Sequence, residues 1–174
     1  MVNGDWKQGF LLGTVGGALV VGVVASLLMG GGADGVDRVA DSGAAEGQQR
    51  VMEVLQADLT QGLDRWYSGD PFGYAELYAQ ELSYFDPGTA VSLSGVGALR
   101  TYYEPLVDLF HIDRHETVNL RLQLHGDFAI LTFNLNEYEA GDTPTAEWKV
   151  THVYRQFGEE WRVIHGHFSE VAAE

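Results

Sequence analysis

The chain has 174 residues, with ten basic against 25 acidic side chains, a formal charge of −15 at pH 7 and no cysteine. So acidic a surface repels phosphate backbones and anionic headgroups, which argues against nucleic acid as a partner. The absent thiols exclude disulfides and lipoprotein attachment.

Residues 10–29, FLLGTVGGALVVGVVASLLM, carry no charge over twenty positions. A helix of that length spans roughly 30 Å, the thickness of a bilayer's hydrocarbon core, so the segment is expected to be a transmembrane helix after a short tail, residues 1–9. A cleaved signal peptide ending near Gly31-Gly32-Ala33 is the competing reading. The apolar run is long for it, and Lys7 alone makes a weak basic region. Gly9, Gly13 and Gly17 recur every four residues, and Ala18, Gly22 and Ser26 continue on a neighbouring stripe. Small residues at that spacing let a second helix approach closely, which predicts a membrane-protein partner in the bilayer. Lys7 before the span and only Arg38 soon after it favour a single-pass chain with its soluble domain on the extracytoplasmic side.

Residues 30–47 are rich in glycine, alanine and aspartate and read as a flexible or weakly helical linker. From Gln48 the pattern changes. Val51, Leu55, Leu59, Leu63 and Trp66 recur at helical spacing and predict an amphipathic helix, broken at Ser68-Gly69. Asp70 then stands as an N-cap with Pro71 at the first helical position, starting a short helix whose buried face is Tyr74, Leu77 and Tyr78. Strands follow around Leu82, Tyr84 and Asp86, and at Val91 and Leu93, on either side of Pro87-Gly88. A third helix runs from Val96 through Leu99, Tyr102 and Tyr103 and should end at Pro105. Four longer strands, 115–124, 128–138, 146–157 and 161–171, close the chain as an antiparallel meander.

Helices gathered before a long antiparallel sheet define an α+β domain over residues 48–174, with three helices packed on a curved sheet. The phrases RWYSGDPFGYAELYAQELSYFDP, GVGALRTYYEP and WKVTHVYRQFGEEWRVIHGHFSEV resemble the SnoaL-like branch of the nuclear-transport-factor-2-like superfamily. That resemblance implies a cone-shaped fold. It leaves function open, because the superfamily includes isomerases, cyclases, hydrolases, ligand binders and oligomerisation modules.

Alternation along the last strands sorts their faces. Lys149, Arg155, Arg162 and Glu170 should face water, which turns Trp148, His152, His165 and His167 toward the inside of the cone. Asp86 ends the YFDP strand, near where the resemblance places the pocket. Asp86 and His152 are therefore the candidate acid–base pair, with Trp66, Tyr84, Tyr103, Trp148, His165 and His167 as pocket lining. His115 falls on the Thr117, Asn119 and Arg121 face, toward solvent or an oligomer contact. No metal is expected, since His165 and His167 at i and i+2 with His152 and Asp86 form no tight ligand motif, and no cofactor is implied. Thr132, Asn134 and Asn136 offer a polar outer surface through which two copies could pair as a homodimer. Two expectations lead: a single-pass membrane-anchored accessory subunit, and a tethered binder of a small apolar ligand. The alternative is a cofactor-independent isomerase, cyclase or hydratase.

Overall fold

The computed structural model describes residues 35–171, with side chains from Gly43 onward. The expected transmembrane segment, residues 10–29, and its small-residue stripe lie outside the described residues. Among the described residues no helix is long and apolar enough to cross a membrane.

Helix α1 (Gly35–Tyr67) begins inside the stretch read as linker. Once the Leu55, Leu59 and Leu63 face is locked into the core, extending the helix backward costs no new nucleus, and alanine and glutamate tolerate it. Arg65, in its last turn, grips Asp70 at 2.6 Å and Glu76 at 2.7 Å. Asp70 in turn accepts the Phe72 and Gly73 amides, capping α2 (Pro71–Ala75) as the Asp-Pro signal requires. Close packing of α1 on the α2 turn depends on Gly62, where a Cβ would stand 3.0 Å from Leu77 and 3.1 Å from Tyr74. Tyr78, assigned above to the second helix, instead opens strand β1 (Tyr78–Phe85), because α2 lasts little more than a turn.

Strand β2 (Leu93–Ser94) is a two-residue edge; Val91 lies before it and is 72% exposed. Helix α3 (Val96–Tyr103) passes into a 3₁₀ turn, Glu104–Leu106, at Pro105 as expected. Strands β3 (Arg114–His125), β4 (Phe128–Tyr138), β5 (Ala146–Phe157) and β6 (Glu160–Glu170) complete one six-stranded sheet in the order β2-β1-β6-β5-β4-β3. The sheet is mixed rather than wholly antiparallel, since β1 lies parallel to β6. The three helices pack on one face of the sheet, and Leu55, Leu59, Leu99, Leu131, Tyr154 and Val163 meet between them.

Two β-bulges reset the alternation. In β6, Tyr154 pairs with Val163 and Val153 with His165, so Ile164 is an extra residue. In β3, Val118 pairs with Asn134 and Arg121 with Thr132; the surplus residue is accommodated at Asn119, whose φ is 57°. Every side chain beyond a bulge changes face. His165 and His167 therefore lie on the outer face, not inside the cone, with Gly166 and Phe168 taking the inner positions. Glu170, expected outward, follows Phe168 onto the inner parity opposite Trp148, where it stays exposed at the sheet's end. His115, expected toward solvent or an oligomer contact, shares the inner face with its cross-strand partner Glu137.

Candidate functional site

The inner face is built from tyrosines around one histidine. His152 is fully buried. Its Nε2 lies 3.0 Å from the Tyr74 hydroxyl and 3.4 Å from that of Tyr78, and its Nδ1 lies 3.3 Å from that of Tyr154. The rings of Phe133 and Phe168 stand edge-on to it at 5.6 and 5.7 Å. Burial in this aromatic shell pushes the imidazole down to about 3, so it is neutral at pH 7. Burial likewise pushes the Tyr74, Tyr78, Tyr84 and Tyr103 hydroxyls well up, leaving all of them protonated.

Asp86, the other half of the expected pair, makes a separate network. Its carboxylate accepts the Tyr84 hydroxyl at 3.1 Å, the Tyr102 hydroxyl at 3.0 Å and the Gly88 amide at 2.9 Å. All three hydrogen-bond partners of His152 are tyrosine hydroxyls, and those of Asp86 do not include an imidazole, so the two do not form the orienting dyad predicted above. Between them stand Tyr78, beside His152, and Tyr84, bonded to Asp86; the irregular pairing of β1 with β6, Tyr78 opposite Val163 and Tyr84 opposite Gly166, brings the two rings into edge contact at 6.0 Å.

Of the expected lining residues, Trp66, Tyr84 and Tyr103 are brought together. Trp66 meets Tyr103 edge-on at 4.9 Å and stacks on Phe110 at 5.4 Å, while Tyr103 meets Tyr84 at 6.2 Å. Trp148 is inward but belongs to a cluster that the sequence reading missed. Glu137, 7% exposed, accepts the Tyr67 hydroxyl at 2.6 Å and the Trp148 indole N–H at 2.9 Å. Burial raises its carboxyl above the usual range despite those two donors. Beside it His115 Nε2 lies 2.8 Å from Asp64, and its ring lies against Tyr67 at 5.0 Å. The signal was present: Glu137 continues the Leu131, Phe133, Leu135 alternation and so must point inward.

His165 and His167 sit on the outer face. His165 Nδ1 is 2.7 Å from the Ser83 hydroxyl, and Phe85 packs beside both rings. Partial burial, with His167 adjacent, holds His165 below the usual histidine range. The bulge thus places the His-x-His pair across the sheet from His152, so the three imidazoles cannot converge on one ion.

A six-stranded mixed sheet wrapped on three helices around an aromatic interior is the nuclear-transport-factor-2-like cone. Within that class, residues 48–172 match the family of the calcium/calmodulin dependent protein kinase II association domain, and the chain belongs to it. Among solved structures, a protein from Parabacteroides distasonis ATCC 8503, provisionally named a ketosteroid isomerase, is 31% identical over 65% of this chain and 84% of its own, with a TM-score of 0.56. The hub of the S. rosetta kinase CaMKII is 19% identical over 68% of this chain and 95% of its own, at 0.56. An NTF2-like protein from Pseudomonas putida KT2440 is 21% identical over 70% and 87%, at 0.60. No curated protein sequence is significantly similar to the chain.

Proposed function

We propose that the protein is a membrane-anchored association subunit, in which residues 10–29 hold the chain in a bilayer and the cone domain pairs with a second copy through the outer face of its sheet. The observation that carries this reading is that face itself. Ile130, Thr132, Thr151, Val153 and His165 occupy neighbouring register positions at its centre, all only half-buried, with exposed Phe85 at the side. The helices pack on the other face, so no described element covers this one. Membership of an association-domain family supports a self-pairing role, and the twenty uncharged residues support the anchor.

The test uses the full chain extracted from membranes in mild detergent, with its protein mass read by light scattering. A dimer or larger assembly that falls to a monomer in Val153→Glu is expected; a wild-type monomer overturns the pairing. Release of the full chain by alkaline carbonate overturns the anchor.

A second reading, a cofactor-free isomerase or hydratase, draws on the 31% identity to the Parabacteroides protein. In it Asp86, held at the rim by Tyr84 and Tyr102, is the acid–base group, and His152 is confined to the core. An activity lost in Asp86→Asn with unchanged assembly mass favours it.

A further inference from the structure

A groove of about 360 Å³ lies between α1, the α2 turn and the β5–β6 hairpin, bordering the aromatic interior only at Tyr154. Its size is that of a small-molecule site. Val54, Leu77 and Trp161 form apolar walls, and Val54 is 49% exposed. Four carboxylates, those of Asp58, Glu76, Glu159 and Glu160, line it against two guanidinium groups, those of Arg65 and Arg162.

Both guanidinium groups are already engaged. Arg65 holds Asp70 and Glu76, and Arg162 donates to Glu160 at 2.7 Å and to the Glu76 carbonyl at 2.6 Å. Asp58 and Glu159 have no basic partner among the described residues. The groove therefore combines an aromatic and aliphatic wall with uncompensated negative charge. An ammonium gains there from the carboxylates, with an indole in the same lining, whereas an anion meets Asp58 and Glu159 uncompensated because the arginines are occupied.

We propose that this groove binds a small organic cation, an amine whose apolar or aryl body lies on Trp161, Leu77 and Val54 while its charged head meets Asp58 and Glu159. The site is separate from the sheet face proposed for pairing, and its readout does not depend on the assembly state.

The full-length chain in zwitterionic nanodiscs is titrated with 2-phenylethylamine, 2-phenylethanol and 3-phenylpropionate. The indole N–H resonance of Trp161, assigned through Trp161→Phe, is followed by NMR. The amine is expected to shift it saturably, with the alcohol and the carboxylate roughly tenfold weaker or more. Asp58→Asn and Glu159→Gln should each weaken the amine and leave the alcohol unchanged. Equal binding of amine and alcohol, no saturable shift, or amine binding that survives the double substitution overturns the proposal.

Discussion

Glu137 is a carboxylate that the fold keeps dry, and its two donors explain why it is tolerated. Leaving a buried polar group unpaired costs about 1–3 kcal/mol, more than a typical hydrogen bond returns. Glu137→Leu removes the acceptor of the buried Tyr67 hydroxyl, and should lower unfolding free energy by ~1–3 kcal/mol in denaturant melts. Glu137→Gln retains an acceptor oxygen for both donors without a buried charge, and should match or exceed the wild type. His152 gives a pH signature. With the folded imidazole at about 3 and the unfolded one near ~6.5, the unfolded chain binds a proton across that window that the folded chain refuses. Its contribution is complete above about pH 6.5 and is lost as pH falls toward 3, at up to ~1.4 kcal/mol per pH unit. Glu137, raised in the fold, acts with the opposite sign over the acid range above its unfolded value. Urea midpoints measured from pH 7 to pH 4 should therefore decline more steeply in Glu137→Gln than in the wild type.

At the scale of elements, what was legible depended on signals that do not need long counting. Asp70-Pro71 announced α2, Pro105 ended α3, and the last strands fell within a residue of their expected limits because glycine-centred turns punctuate them. The faces of β5 were read correctly throughout. Those of β3 and β6 were read correctly only on one side of each bulge, since alternation assumes that no residue is inserted and neither Asn119 nor Ile164 looks unlike its neighbours in sequence. Asn119 has a left-handed backbone that asparagine accepts and β-branched residues resist. Asn119→Val should destabilise the domain by about 1–2 kcal/mol, while Asn119→Gly stays near neutral in the same melts. Gly166, beyond the other bulge, leaves room for Tyr78: a Cβ there would stand 2.8 Å from the hydroxyl. Gly166→Ala should cost ~1–3 kcal/mol through overpacking and broaden the Tyr78 and His152 resonances.

For the whole molecule, the bulge in β6 determines what the proposed pairing surface is made of. It removes two imidazoles from the cone and sets them beside Val153 and Thr151 on the outer face. Burial holds His165 below the usual histidine range, so it is neutral at pH 7 and compatible with a closely packed contact. Charged, it repels its counterpart across a two-fold axis, where each patch meets its own copy. The proposed pairing should therefore weaken as pH drops below the usual histidine range, and His165→Gln should remove that dependence; sedimentation of the full chain in detergent at pH 7.5 and 5.0 measures both. In acid, then, the proposed pairing and the fold fail for different reasons, the first through the outer imidazole of His165 and the second through the inner one of His152.

The unbroken course of α1 carries a mechanical meaning. A helix from Gly35 to Tyr67 is a lever whose far end is cemented among Leu55, Leu59 and Leu63, so a twist applied at Gly35 reaches the sheet instead of being absorbed by slack chain. The stretch before Gln48 rises ~20 Å at helical pitch. In the anchored arrangement proposed above, it is the stalk that sets the height and the heading of the body it supports.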